Sequence, residues 1–236
     1  MNDIFVYPLQ NSKEYKDIIN CINNNKGSLL INGLLAVQKP HIAYSMYRDL
    51  NRQTIFITNS DLEAKKVYDD LSFYMKDKVE YIGFQDILFY HLDAKDRSEE
   101  AKRLKVLLKL AKGENIILLT SIEAVMRKYI PKEILLENIY TYKIGDVINL
   151  EKLSETLVNL GYERVSKIEG FGQFSIRGGI VDIFSLEYNN PIRMELFDDE
   201  IDSIRTFDVF SQKSIEKINK FSITPSREFI YPENVE

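Results

Sequence analysis

The stretch closest to recognisable chemistry is Gly33-Leu-Leu-Ala-Val-Gln-Lys39-Pro40, where a glycine precedes a lysine by six positions, as in a Walker A phosphate loop. Such a loop wraps phosphate oxygens in backbone N–H groups, while the lysine and a following hydroxyl engage the terminal phosphates and magnesium. Two positions disagree with that use. Gln38 stands where glycine would let the backbone curl around phosphate, and Pro40 where a hydroxyl would reach the metal. The same residues also fit an ordinary strand-loop-helix turn whose helix is begun by Pro40. His41 and His91 are the only histidines, and their fifty-residue separation gives no local zinc cluster with Cys21. Asp182, Asp198, Asp199, Glu200 and Asp202 supply carboxylates of the kind a two-metal nuclease centre uses. The last four fall in or beside a turn, where solvated acids are ordinary, so no metal site is expected.

A second set of residues suits recognition better than bond-making. In Pro191–Asp208, Ile192, Met194 and Leu196 point one way along a strand while Arg193 and Glu195 point the other. Arg177 ends a preceding strand, before Gly178-Gly179, and Arg164 follows Gly161-Tyr162. Adjacent strands bring such side chains close together, and the arginine fork engages a partner carboxylate with fixed direction. A small sheet with one oily and one charged face serves as a docking surface more readily than as a catalytic pocket. Phe171, Gly172, Gly178 and Gly179 read as shape residues, and Phe174, Ile176, Ile183 and Phe184 mostly as core.

The elements that must carry these groups follow from periodicity. Residues 1–121 have the rhythm of an α/β domain, with strands expected at Leu29–Ile31, Thr54–Thr58, Val79–Ile82 and Asn115–Thr120, mostly in a parallel sheet. Ser60-Asp-Leu-Glu63 is a capping box that opens a helix to about Tyr74, and a further helix with a basic, solvated face is predicted over 96–112. Thr120-Ser-Ile-Glu123 predicts a second capping box, with its helix stopped by Pro131. Asn149 is the expected cap of a helix carrying Leu150, Leu153, Leu157 and Leu160, terminated by Gly161. Strands then follow at 164–168, 174–177, 180–184, 192–197 and 201–207, which makes residues 122–210 a separate α+β domain with a mostly antiparallel sheet. Residues 211–236, with Thr224-Pro225 and Tyr231-Pro232, read as a connector.

With 236 residues and 44% hydrophobic content the chain can bury at least one substantial core. Its net charge of −5 argues against a wholesale grip on nucleic acid. One cysteine excludes an internal disulfide and fits a reducing compartment. No stretch reaches the roughly 18 apolar residues of a membrane span, and Met-Asn-Asp-Ile is not a basic leader. A soluble, cytoplasmic chain with no membrane partner is expected.

The two strand-rich runs closely resemble the module shared by bacterial transcription-repair coupling factors (Mfd) and the B subunit of the excision-repair nuclease (UvrB). The wording of residues 197–214, Phe-Asp-Asp-Glu-Ile-Asp-Ser-Ile-Arg-Thr-Phe-Asp-Val-Phe-Ser-Gln-Lys-Ser, is similar to the coupling-factor version. The likeness is strong over residues 160–214 and weaker over 20–130. It implies that residues 1–121 form a degenerate, helicase-like P-loop domain in which Gly33, Gln38, Lys39 and Pro40 are a decayed nucleotide site, since coupling factors typically lack a working Walker A there. It implies that residues 122–210 resemble the second domain of the B subunit, and that 211–236 return to the first module or its missing second half.

Positions matching Arg164, Arg177, Arg193 and Glu195 belong in the family to the face that attaches the A subunit of excision repair (UvrA). This chain keeps all four and departs at Ser175, where the nuclease subunit commonly has arginine. The resemblance therefore implies a non-catalytic, N-terminal scaffold fragment that recruits the A subunit to stalled RNA polymerase and holds no cofactor itself. RNA polymerase, double-stranded DNA, and the ATP and magnesium of the motor would be engaged by other regions of a longer protein. The alternative is an ATP-dependent, damage-verifying protein like the B subunit, which would bind nucleotide at Lys39 and carry an aromatic DNA-clamping hairpin. Phe84–Tyr90 is short for that hairpin and reads as flowing into a helix. A generic nucleic-acid module would instead show salt-sensitive DNA affinity.

Overall fold

The computed structural model describes residues 4–24, 27–84 and 94–228. In chain order its first elements are α1 (Tyr7–Gln10), α2 (Lys13–Asn23), α3 (Gln38–Leu50), β1 (Thr54–Thr58), α4 (Asp61–Met75), β2 (Val79–Ile82), α5 (Ala94–Ala111), β3 (Ile117–Ser121) and α6 (Ile122–Val125). After these come α7 (Lys132–Glu137), β4 (Tyr140–Lys143), α8 (Leu150–Asn159), β5 (Glu163–Arg164), β6 (Gln173–Arg177), β7 (Ile180–Ile183), β8 (Ile192–Phe197), β9 (Glu200–Phe207), β10 (Ser214–Lys217) and β11 (Lys220–Ile223). They form two compact units, one from Met1–Phe89 with Lys112–Lys128, the other from Tyr90–Ala111 with Tyr129–Glu236.

The first unit is built on a parallel sheet of order β1-β3-β2. Its central strand, Ile-Leu-Leu-Thr-Ser, is buried at every position, as a strand covered on both faces requires. Helix α4 covers it with Ala64, Val67 and Leu71, and Ser60 caps that helix by accepting the Glu63 N–H at 3.3 Å. Val6, Tyr44, Tyr47, Val79, Ile117 and Leu119 complete the core. Leu29–Ile31 does not form the expected strand. Among the described residues β1 pairs only with β3, so no ladder is offered to that apolar triplet, and Leu29 and Leu30 are exposed. The second cap falls one residue later than expected: Thr120 is taken into β3, and Ser121 accepts the Ala124 N–H at 3.2 Å. The helix it opens ends at Val125, while Pro131 sits at the start of α7.

The second unit is a six-stranded sheet of order β10-β9-β8-β7-β6-β5, antiparallel except where β5 meets β6. Phe174, Val181, Ile183, Ile192, Met194, Ile201 and Ile204 turn to one face and pack with Leu153, Leu157 and Leu160 from α8. Asn149 caps α8 by accepting the Lys152 N–H at 3.0 Å. Gly161 ends it at φ +86°, where a Cβ would come within 2.8 Å of Arg227 Cγ. Helix α5 groups with this unit and not with the parallel sheet that precedes it in sequence, because Leu104, Leu108 and Ala111 pack with Leu135 and Leu186. The strand expected over 164–168 shrinks to Glu163–Arg164.

The C-terminal stretch read as a connector contributes structure of its own. β10 extends the sheet beyond β9, and β11 pairs antiparallel with β4, placing Phe221 and Ile223 in the main core. Tyr162, buried beneath them, donates its hydroxyl to the Thr224 carbonyl at 2.8 Å, and its burial pushes the phenol pKa up. Tyr231-Pro232 lies outside the described residues. If β11 is integral to this core, Phe221→Ala lowers the unfolding free energy by about 3–5 kcal/mol in urea denaturation, whereas truncation of a passive connector residue would leave the midpoint unchanged.

Candidate partner-binding site

The loop with Walker spacing is filled by its own side chains. Gln38 sits at the start of α3 and turns back so that its Oε1 accepts the Leu35 N–H at 2.9 Å, occupying a backbone donor that a phosphate loop would offer to its ligand. Lys39 is directed to Glu63 of α4, with Nζ 4.0 Å from Oε1. Gly33 keeps the left-handed backbone, φ +84°, but Pro40 is buried on α3 and has no group for a metal. No working Walker motif and no cluster of metal ligands occurs among the described residues. His91 and Gln85–Tyr90, including most of the segment compared with a clamping hairpin, lie outside them.

The outward face of the second unit's sheet is a charge network. Strand register aligns Ser175 with Asp182, Asp182 with Arg193, and Arg193 with Arg205 across β6, β7, β8 and β9. Asp182 is 2% exposed and serves two guanidinium groups at once. Its Oδ1 accepts from Arg193 Nε at 2.6 Å, and its Oδ2 accepts from Arg193 Nη2 and from Arg177 Nη2, each at 2.8 Å. Arg193 also lies flat on Phe207, its guanidinium carbon 4.2 Å from the ring centroid, and donates to Gln212 Oε1 at 3.1 Å. Asp182, the first cause, raises the Arg193 pKa above its ordinary value.

The neighbouring Arg193 and Arg205 would repel, but a second carboxylate separates their roles. Glu195 grips Arg205 with both oxygens, Oε2 accepting from Nη1 at 2.7 Å, and takes the Ser203 hydroxyl at 2.9 Å. The glycines set the edge of this patch. Gly178 turns β6 into β7 at φ +59°, and a Cβ on Gly179 would meet the Leu196 carbonyl oxygen at 3.0 Å, so the hairpin lies close on β8 with Arg177 at its tip.

The structure therefore brings Arg177, Arg193 and Glu195 onto one face, but with unequal availability. The Arg177 side chain is 51% exposed, whereas Arg193 is 13% exposed and already committed to Asp182 and Gln212. Glu195 is committed to Arg205. Arg164 is exposed, yet its register with Phe174 sets it on the other side of the sheet at the β5 edge. Three groups escaped the sequence reading. Asp182 was grouped with the acids although strand alternation places it on the arginine face, Arg205 follows the same alternation, and Phe197 stands 80% exposed at the end of β8. Ser175, the position of departure, is buried, and its hydroxyl donates to the Ser166 carbonyl at 3.2 Å.

The second unit is thus a mostly antiparallel sheet with a tied arginine face, and residues 141–229 match the UvrB interaction domain. The chain is 32% identical over 223 residues to the transcription-repair-coupling factor of Bacillus subtilis, covering 94% of this chain and 19% of that protein. It is 32% identical over 209 residues to that of Staphylococcus epidermidis and 33% over 211 residues to that of Staphylococcus aureus, covering 88% and 89% of this chain and 18% of each relative. The chain is thus homologous to the bacterial transcription-repair-coupling factors, and it spans about a fifth of their length.

Two measurements check this description. Pairing with Arg205 holds the Glu195 carboxyl below the ordinary glutamate range, against a smaller opposing effect of burial. A depressed folded-state pKa adds stability above the unfolded value and loses it as pH falls through the folded value. The stability gap between wild type and Glu195→Gln is therefore widest near neutral pH and narrows as pH falls below the ordinary glutamate range in urea unfolding. For the loop, titration calorimetry with ATP and magnesium gives no binding heat, and Lys39→Ala changes nothing.

Proposed function

We propose that this chain is a docking scaffold whose second unit binds the A subunit of the excision-repair nuclease. Within a full-length coupling factor it would bring that subunit to a stalled RNA polymerase. RNA polymerase, double-stranded DNA and the ATP-dependent motor belong in this reading to other regions of the longer protein. The contribution of the present region is binding free energy and placement, with no bond made or broken.

The observation that carries the reading is the Arg177-Asp182-Arg193 network in the segment that matches the UvrB interaction domain. Three guanidinium groups, Arg177, Arg193 and Arg205, face two carboxylates, Asp182 and Glu195, which leaves one positive charge over (3 − 2 = 1). Arg177 is the exposed member and presents donors to a carboxylate on the partner, and Phe197 at the end of β8 adds exposed apolar surface. Arg193 and Glu195 act in this reading mainly by holding the face in shape, and Arg164, on the other side of the sheet, stands apart from it. The self-filled loop of the first unit supports a scaffold and not a nucleotide-driven enzyme. A coupling factor works in the cytoplasm, and no helix among the described residues is long and apolar enough to cross a membrane.

Titration calorimetry of the 236-residue chain with the A subunit tests the proposal. Arg177→Glu, with an unchanged circular dichroism spectrum, weakens binding by at least about tenfold, and Arg164→Glu, on the other side of the sheet, leaves it within about twofold. Wild-type affinity in folded Arg177→Glu would remove the docking face.

A further inference from the structure

The turn from β9 to β10 holds an aromatic ring in water on an unusually well-tied frame. Phe210 is 91% exposed. Around it, Asp208 Oδ1 accepts both the N–H and the hydroxyl of Ser211 at 2.7 Å, and the Asp208 N–H donates to the Lys213 carbonyl at 2.9 Å. Gln212 adopts a left-handed backbone, φ +60°, donates its N–H to the Asp208 carbonyl at 2.8 Å, and donates its side-chain amide to the Val209 carbonyl at 2.7 Å. The other end of that amide receives Arg193 Nη2, which ties the turn to Asp182 and through it to Arg177. A left-handed non-glycine residue persists where surrounding contacts over-determine it. The ring is therefore displayed from a fixed turn that shares its supports with the arginine face.

An exposed aromatic on a fixed turn that is joined to the arginine face through Gln212 has the make-up of an interface anchor, and fixing it beforehand removes ordering cost from association. We propose that Phe210 is a second anchor for the same protein partner, seated in an apolar pocket apart from the carboxylate that meets Arg177. The tie through Gln212 to Arg193 makes the turn continuous with the arginine face, which favours the partner of that face over a second copy of this chain. The inference rests on the docking reading of the sheet and adds the chemistry that the partner must present.

The test is calorimetry with the A subunit at low and moderate salt, using wild type, Phe210→Ala, Phe210→Leu and Arg177→Glu, with sedimentation of each chain alone. The expected result is that Phe210→Ala binds about tenfold or more weakly with unchanged melting temperature and salt dependence, and that Phe210→Leu recovers most of the affinity. Arg177→Glu instead lowers both affinity and salt dependence. Wild-type affinity in Phe210→Ala beside weakened Arg177→Glu overturns the anchor and leaves the docking face standing. Wild-type affinity in both variants overturns the docking face and the anchor with it. Loss of self-association in Phe210→Ala, with A-subunit affinity intact, overturns the proposal by assigning the ring to a second copy.

Discussion

One buried carboxylate organises the charged face of this molecule. Asp182 sits buried on a central strand and is balanced by Arg193 on the next strand and Arg177 on the previous one. Removing one partner from such a buried group typically costs about 3–5 kcal/mol, because the remaining charge keeps its desolvation penalty and loses its compensation. The strands β6, β7 and β8 are thus tied on their outer face by ions as they are on their inner face by Phe174, Val181, Ile183 and Met194. The arginines gain fixed direction from this arrangement, and a partner that meets them need not supply the free energy of ordering two long side chains.

The two units make opposite use of their polar groups. In the first, Gln38 turns inward upon the backbone of its own loop and Lys39 is drawn to Glu63, so a segment with the spacing of a phosphate site is satisfied internally. In the second, Asp182 engages Arg177 through Nη2, and the half-exposed guanidinium retains donors that face solvent. The difference lies in geometry more than in composition. A glutamine can fold back on a loop three residues away, whereas a side chain at the tip of a tight hairpin has fewer neighbours to meet.

Local sequence patterns specify the structure wherever a single element determines the outcome. Ser60 and Asn149 cap their helices, Gly161 terminates α8, and the alternation Ile192, Arg193, Met194, Glu195 sorts the two faces of β8. The errors arose where a partner element decides. Leu29–Ile31 has strand-like residues but no ladder among the described residues, and α5 has a correct apolar stripe that packs with Leu135 and Leu186 instead of the neighbouring parallel sheet. The candidate site shows the same division. Alternation puts Arg177, Arg193 and Glu195 on one face, but only cross-strand register reveals that Asp182 engages both arginines, that Arg205 engages Glu195, and that Arg164 pairs beside a core residue at the edge.

The ribbon of β4 and β11 has a bearing on synthesis. It joins one of the earliest strands of the second unit to the last one described, and Phe221 and Ile223 fill the core between α8 and the sheet. A ribosome delivers the amino end of this unit first, so Leu157, Phe174 and Met194 emerge before the residues that cover them. Loop closure of that length makes completion of the core a late, non-local event. The nascent unit therefore exposes greasy surface until its closing strand has cleared the exit tunnel, an interval in which chaperone occupancy or slowed translation would have the most influence on yield.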